Sequence, residues 1–496
     1  LDFRTVSRPL LCVTVTAPTT AELRLRRDAV ADADLVELRL DSVADPDVAG
    51  ALAGRRRRVI VTCRPTWEGG QFKGSEEERC KLLAEAHALG ADYVDVEWRA
   101  RFDDLLEKTQ GRRIVLSMHD FQSTPADLRE TARAMRATRA EVLKIATYAN
   151  ALSDCLPLME LGRDEGKHGS VVVVAMGEHG LPSRVLASRF GSAWTYAGDL
   201  AGIGQVTASM LVDEYRFRTV GESTDIYGVA GSPVSHSVSP SMHNAAFRAS
   251  RLDAVYLPFR AASAEDFLRF ARAIGLKGAS VTIPFKVALF DRVDEVDAVA
   301  RRIGAINTIR VLGGRWLGGN TDAAGFLRPL QDRNVSLSTM RTSILGAGGA
   351  ARAVAIALAP SGSTVTIHAR TPERAREVAM IVSGKVGPWP PRPGSWDLLV
   401  NCTPLGMHPR IDESPMPVDG FAGQLVYDLV YNPPATRLVR DAVKAGMTAI
   451  GGLDMLVAQA QEQFQWWTDL RAPAGVMRAA AEKRLAEFTA NEDHLV

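Results

Sequence analysis

The chain has 496 residues, 46% hydrophobic and 24% charged, with a formal net charge of +1. That composition is globular, and the length exceeds one ordinary core, so roughly two to four domains are expected. The balanced charge gives no reason to expect nucleic acid or an anionic membrane as partner, and no apolar stretch reaches the ~18 residues that span a bilayer.

From about residue 8 to 215, β-rich runs alternate with helical stretches. In chain order the runs are "LLCVTVTA", "LVELRLD", "RVIVTCR", "YVDVEW", "RIVLSMHD", "VLKIATYA", "SVVVVAMG" and "SAWTYAG". Segments such as "TAELRLRRDAVADA" and "PADLRETARAMRATRA" between them have helical periodicity. Eight β/α alternations predict an α/β fold, a (β/α)8 barrel, with a doubly wound open sheet as the alternative. In such a barrel the chemistry sits at the C-terminal strand ends. Glu37, Arg39 and Asp41 lie in or just after the second strand, Arg64 ends the third, His119 and Asp120 end the fifth, and Lys144 lies within the sixth.

Lys144 stands out because Val142, Leu143, Ile145 and Ala146 surround it, and the chain uses 10 Lys against 49 Arg. A buried lysine either reaches a carboxylate or is held neutral, as a nucleophile toward a carbonyl. An imine there would acidify the adjacent carbon, and His119 on the neighbouring strand is a natural acid/base at neutral pH. Arg39, Arg64 and Arg184 suit an anionic, hydroxylated substrate, with Glu37 as a hydroxyl acceptor.

Residues 8 to 216 resemble type I 3-dehydroquinate dehydratase. The matching segments are "ELRLD", "TCRPTWEGG", "SMHDF", "LKIA", "GLPSR", "FGSAWTYA" and the "GQ" at 204 to 205. The resemblance implies Schiff-base dehydration with Lys144 as nucleophile and His119 as acid/base. It also implies that Glu68 orients His119, that Arg184 binds the substrate carboxylate, and that Gln205 contacts substrate. One departure is "AGIGQ", where Ala201 stands at the family's usual serine and a loop-closing contact is expected to weaken.

The connector "FRTVGESTD" (217 to 225) is rich in turn formers and marks a boundary. Beyond it, strands and helices alternate to about residue 330. "RTSILGAGGAARAVAIALA" then reads as strand, Gly-rich turn and helix, followed by the strand "TVTIHAR". Residues 346 to 351 form G-x-G-x-x-A, with Gly346, Gly348, Gly349 and Ala350 in the turn that would carry a pyrophosphate on a helix N-terminus. The next strand ends in "HARTPER" rather than an acid, so Arg370 and Arg374 favour the 2′-phosphate of NADP over NAD, Glu373 being the dissenting residue. Lys286 in "SVTIPFK" and Asp322 in "GNTD", with Thr282 and Asn320 close by in the chain, form a couple able to deliver a proton to a new alkoxide.

Residues 226 to 490 resemble shikimate dehydrogenase through "GSPVSHSVSPSMHN", "GASVTIPFK", "GAINT", "GNTDAAGF", "GAGGAAR", "NCTPLGM", "DLVYNP" and "GLDMLVAQA". The resemblance implies catalysis by Lys286 and Asp322. Substrate would be bound by Ser237, Ser239, Thr282, Asn307, Tyr431 and Gln459, and the cofactor further by Thr371, Asn401, Thr403 and Gly452. Here the family's "NR" reads Ala369-Arg370.

The expected domains are a barrel at 1–216, a linker at 217–225 and a shikimate-binding α/β domain at 226–330. A Rossmann NADP domain at 331–465 follows, then a helical segment at 466–496 that packs back on the catalytic domain. The two activities are consecutive steps, from 3-dehydroquinate through 3-dehydroshikimate to shikimate. Small-molecule partners alone are expected, with no nucleic acid, membrane, metal or required protein partner. Five scattered cysteines with no C-x-x-C pair point to a reducing compartment. The cytoplasm is the expected location, or a plastid if a transit peptide has been removed. The rival readings are an NAD-dependent quinate-oxidising enzyme and a catalytically silent metabolite sensor.

Overall fold

The computed structural model describes residues 8–493. The chain forms two compact units, Leu1–Asp225 with Asp253–Gly275, and Ile226–Leu252 with Leu276–Val496.

The first unit is built on eight parallel strands: β1 (Leu10–Val15), β2 (Leu35–Arg39), β3 (Arg58–Thr62), β4 (Tyr93–Glu97), β5 (Ile114–Asp120), β6 (Val142–Tyr148), β7 (Ser170–Met176) and β8 (Trp194–Ala197). They follow in chain order around the sheet, and β1 pairs with both β2 and β8. Between β7 and β8 the barrel is closed by single bonds. Ala193 N–H donates to Val171 O at 2.8 Å, and the Ser192 hydroxyl accepts from Val173 N–H at 3.0 Å.

Helices α1 (Thr20–Ala29), α2 (Val48–Leu52), α3 (Glu76–Ala88), α4 (Asp103–Thr109), α5 (Leu128–Ala137), α6 (Cys155–Glu165) and α7 (Leu181–Val185) cover the outside. Local chemistry starts them. Ser75 and Glu78 form a reciprocal capping box on α3, and Thr19 caps α1 through the Glu22 amide. On α5, Leu128, Ala132 and Met135 are buried at helical spacing and turn one stripe to the strands. After β8 come two short helical turns, Ala201–Ile203 and Met210–Glu214, where the eighth alternation predicts a full helix.

Because helices cover the outer face, strand residues on both faces are buried, and period 2 sorts lumen from shell. Cys12, Leu35, Ile60, Tyr93, Val115, Val142, Val172 and Trp194 form an apolar cluster inside the barrel. Two residues further along the same strands stand Thr14, Glu37, Thr62, Asp95, Ser117 and Lys144, a polar layer above that apolar floor. This alternation is why a lysine sits inside an apolar run.

β9 (Asp225–Gly231) and α8 (Ser239–Ala249) follow, then β10 (Ala254–Arg260) and α9 (Ala264–Ala273), which belong to the first unit. The second unit continues with β11 (Gly278–Val281), α10 (Phe285–Ala288), β12 (Glu295–Val296), α11 (Ala298–Ile303), β13 (Thr308–Leu312), β14 (Arg315–Gly319) and α12 (Asp322–Asp332). Within that unit five strands run in the order β9-β11-β13-β14-β12, mixed in direction.

The remaining elements are β15 (Arg341–Leu345), α13 (Gly349–Leu358), β16 (Thr364–His368), α14 (Pro372–Ile381), β17 (Lys385–Val386), β18 (Leu398–Asn401), β19 (Leu425–Asp428), α15 (Arg437–Lys444), β20 (Thr448–Ile450), α16 (Gly452–Thr468) and α17 (Ala474–Asp493). Their all-parallel sheet has the order β17-β16-β15-β18-β19-β20. That is the doubly wound 3-2-1-4-5-6 arrangement, whose chain reversal beside β15 places a ligand crevice at the Gly-rich turn. α17 packs against α8 and α16.

Candidate active sites

The lumen of the barrel opens into a cavity of about 230 Å³. Glu37, Arg39, Arg64, Glu68, His119, Lys144, Arg184 and Gln205, which come from six different strand ends or the loops after them, all line it. Lys144 is 5% exposed; its Nζ lies 3.1 Å from Asp95 Oδ2, 3.4 Å from Glu37 Oε1 and 4.3 Å from the Tyr196 ring centre. Lys144 thus reaches two buried carboxylates.

These carboxylates are themselves held. Glu37 accepts from the Thr14 and Thr62 hydroxyls, both at 2.9 Å. Asp95 accepts from Ser117 Oγ at 2.6 Å and from Arg64 at 2.9 Å. Burial works to raise the Asp95 carboxyl, but Arg64 and Lys144 outweigh it and hold the group below the usual range. Arg64 also binds Glu97 at 2.7 Å, and Glu97 receives Arg79 from α3. Arg64 is thus engaged by carboxylates beneath the cavity that it lines. Arg39 forms a bidentate pair with Asp41, at 2.8 and 2.7 Å.

His119 Nδ1 lies 2.9 Å from Glu68 Oε1, and that oxygen also accepts the His119 main-chain N–H at 3.0 Å. An oxygen already accepting one N–H assigns Nδ1 as the second donor, which leaves the Nε2 lone pair for a substrate. Burial, then the Arg64 and Lys144 cations, push the imidazole pKa well below its ordinary 6.5. Burial pushes Glu68 up to about 7, against the pull of Arg64. In neutral solution the imidazole is therefore uncharged, the form a general base requires.

Arg184 is 1% exposed and bonds only the carbonyls of Tyr196 (3.2 Å) and Ile203 (3.1 Å), with no carboxylate among the described residues. Its Nε is buried without a partner, and burial lowers its pKa to about 10. A buried guanidinium with no counter-ion, on the wall of a cavity, has the chemistry to receive an anion. Gln205 reaches Thr14 Oγ1 at 3.5 Å from the last loop. The Ala201 side chain lies outside the described ones.

In the second unit, Lys286 on α10 places Nζ 2.6 Å from Asp322 Oδ2 at the start of α12. Asn307 donates to Asp322 Oδ1 at 2.7 Å and accepts the Thr321 N–H at 2.8 Å. Asn320 Oδ1 accepts the Asp322 N–H at 3.0 Å. Gln459 on α16 meets Thr321 Oγ1 at 3.4 Å. This approach depends on Gly325, where an added Cβ would fall 2.6 Å from Gln459 Cβ. Thr282 begins the turn into α10, accepting the Phe285 N–H at 2.9 Å. Ser232 N–H donates to Ile283 O in that turn, and from Ser232 the chain leads to Ser237 and Ser239, which share a bond of 3.2 Å.

At the Gly-rich turn, Gly346 has φ +108°, a conformation closed to most L side chains. A Cβ built on Gly348 or Gly349 meets nothing within 4 Å, so the N-terminus of α13 is open to a close-lying group. Ala350 follows in the first turn of α13. Asn401, at the end of β18, accepts from Thr403 at 2.7 Å and donates to Asp428 at 2.9 Å. Tyr431 follows Val430, whose carbonyl accepts the Gly452 N–H at 3.3 Å. β16 ends in His368, bonded to Pro388 O and Ser343 Oγ. Beyond it Arg370, Thr371 and Arg374 are exposed, while Glu373 is turned to Arg376 at 3.1 Å. The crevice therefore fits a dinucleotide and offers its second ribose arginines rather than an acid.

Three family models match: type I 3-dehydroquinase over residues 11–222, the shikimate dehydrogenase substrate binding domain over 229–309, and the shikimate 5'-dehydrogenase C-terminal domain over 452–482. The chloroplastic bifunctional 3-dehydroquinate dehydratase/shikimate dehydrogenase of Arabidopsis thaliana is 35% identical, over 94% of this chain and 83% of its own. The chain belongs to this bifunctional family. Its second half is 46% identical to a shikimate dehydrogenase (NADP(+)) of Moorella thermoacetica, over 52% of this chain and 92% of that one. The crystal structure of the Thermus thermophilus shikimate 5-dehydrogenase with NADP(H) and shikimate superposes with a TM-score of 0.50. It is 35% identical, covering 52% of this chain and 99% of its own.

Several residues of the dehydratase and reductase sites escape a reading of the sequence alone. Asp95, Glu97, Ser117 and Tyr196 support Lys144 and Arg64 from inside the barrel, and Thr321 and Asp428 join the polar groups of the second unit. The readable signal for the first pair is "YVDVEW", where two acids stand two apart in a strand covered on both sides.

Proposed function

We propose that the barrel dehydrates 3-dehydroquinate through an imine on Lys144 and that the second unit reduces the product to shikimate with NADPH. The observation that carries the reading is the meeting of Lys144, His119 and the anion-seeking Arg184 in one cavity.

Asp95 and Glu37 hold the lysine ammonium by charge. Neutral His119 Nε2, in the same cavity, takes a proton from it, leaving the amine to attack the substrate ketone, and returns that proton to the carbinolamine hydroxyl. Loss of water from the carbinolamine gives an iminium that the same two carboxylates stabilise. His119 Nε2 removes the proton from the adjacent carbon, and the electron pair moves into the iminium. The protonated imidazole, steadied by Glu68, then gives that proton to the departing hydroxyl, which leaves as water. Hydrolysis of the remaining imine frees Lys144 and 3-dehydroshikimate. Arg184 holds the substrate carboxylate, and Glu37, Arg39, Arg64 and Gln205 surround its hydroxyls.

In the second unit NADPH, when bound, supplies the hydride. Gly346, Gly348, Gly349 and Ala350 would carry its pyrophosphate, with Arg370, Thr371 and Arg374 at the 2′-phosphate and Asn401, Thr403 and Gly452 toward the nicotinamide. Lys286 delivers a proton from Nζ to the new alkoxide, and Asp322 orients that ammonium. Ser237, Ser239, Thr282, Asn307, Tyr431 and Gln459 hold the substrate. The domain limits expected from the sequence serve as the working division of these tasks.

No helix among the described residues is long and apolar enough to cross a membrane, and the five cysteines are unpaired. Both fit a chain working on small molecules in the cytoplasm or, as the Arabidopsis relative's name states for that protein, a chloroplast. The test is to supply purified protein with 3-dehydroquinate and follow absorbance with and without NADPH. Enone formation without the cofactor, and oxidation of NADPH as the enone ketone is reduced in the second step, support the reading. Failure of either step removes the corresponding half.

A further inference from the structure

Residues 253–275 lie inside the match to the shikimate dehydrogenase substrate binding domain, yet they are packed into the barrel unit. In the barrel α7 has only five residues, and a five-residue helical turn, Met210–Glu214, follows β8. α9 lies against α6 and the Leu152–Asp154 turn.

The contact has a definite chemistry. Asp266, in the first turn of α9 and 8% exposed, accepts N–H groups from Leu152 at 3.0 Å, Ser153 at 2.8 Å and Ala262 at 2.9 Å. Leu152 and Ser153 open the turn that follows β6, the strand of Lys144. That loop is tied in turn to the loop after β5, the strand of His119. Asn150 Nδ2 donates to Gln122 O at 2.8 Å, and Thr124 and Thr147 share a hydroxyl bond of 2.9 Å. A second anchor reaches the strand beyond, where Arg260 of β10 pairs with Glu178, in the turn leading into the helix of Arg184. Arg189 fastens the far end of α9 by donating to Ile274 O at 2.6 Å.

We propose that Asp266 is a positioning residue for dehydration. Through it, a segment of reductase sequence fixes the loops ending β5 and β6, and hence the placement of His119 against Lys144. A carboxylate suits three converging N–H donors, whereas an amide would turn its own NH2 toward at least one of them. The inference rests on the dehydratase reading given above.

The test uses the full chain carrying D266N or R260Q. D266N is expected to lower kcat for 3-dehydroquinate about 10- to 100-fold, with KM within about twofold, because misplacement acts on the reacting geometry. Amide exchange over residues 149–154 should quicken, while reduction of 3-dehydroshikimate stays unchanged. R260Q, at a more exposed pair, should give a smaller fall of the same kind, and it carries the test if D266N does not fold. Unchanged dehydration in the folded variants overturns the proposal, as does a parallel fall of both activities. A wild-type chain unable to dehydrate would instead overturn the dehydratase reading.

Discussion

Lys144 Nζ stands 3.1 Å from Asp95 Oδ2, both groups being buried, and the other oxygen of that carboxylate binds Arg64 and Ser117. One aspartate thus bridges two buried cations, each of which has a second carboxylate, Glu97 for Arg64 and Glu37 for Lys144. Asp95→Asn would take one of two carboxylates from each, and breaking buried pairs typically costs about 3 kcal/mol. The expected outcome is a lowered unfolding midpoint in urea together with loss of dehydration. A variant as stable as the parent would show that the pair contributes little.

His119 is held neutral by burial and by the neighbouring cations, so its pKa lies below 6.5. A base with a lowered pKa stays unprotonated to lower pH. The acidic limb of kcat/KM for dehydration is therefore expected below pH 6.5, and a pH–rate profile on 3-dehydroquinate measures it. A limb at or above that value would contradict the assignment of His119 as the base.

Much of this site was legible in the sequence, for a physical reason. A lysine inside an apolar strand and a histidine at a neighbouring strand end both break local pattern, and a barrel gathers strand ends at one mouth. Asp95 and Glu97 also break pattern, but acids two apart equally describe the wet face of a half-exposed strand. Only knowing that helices cover the outer face turns them inward. Arg79 in "EEERC" reads as a surface charge; that it passes 4.6 Å over the Phe102 ring to reach Glu97 is a tertiary fact. Asp266 binds a turn 114 residues earlier, a distance no local pattern spans.

Arg184 has no counter-ion among the described residues, and the proposed one is the substrate carboxylate. Arg184→Gln is expected to raise KM for 3-dehydroquinate about 10- to 100-fold, the worth of a charge-assisted bond of ~1.5–3 kcal/mol. Steady-state kinetics measure this, and an unchanged KM would place the carboxylate elsewhere.

Asp322 is bonded to Lys286 at 2.6 Å and to Asn307 at 2.7 Å. Asp322→Asn leaves the proton donor Lys286 without its orienting carboxylate and is expected to slow 3-dehydroshikimate reduction by up to about 10²- to 10⁴-fold, the usual contribution of the proton transfer itself, while dehydration is spared. Assaying the two steps separately on one preparation distinguishes this from a general loss of folded protein.

The central claim is that Lys144 forms the covalent bond to substrate, which a guanidinium could not do in its place. Borohydride added to the full chain during turnover of 3-dehydroquinate, followed by peptide mass analysis, tests it directly. The account predicts irreversible loss of dehydration with reduction retained, and a reduced adduct on the peptide containing Lys144 that is absent in K144A. An unmodified Lys144 peptide after borohydride treatment during active turnover, or dehydration persisting in K144A, would contradict it.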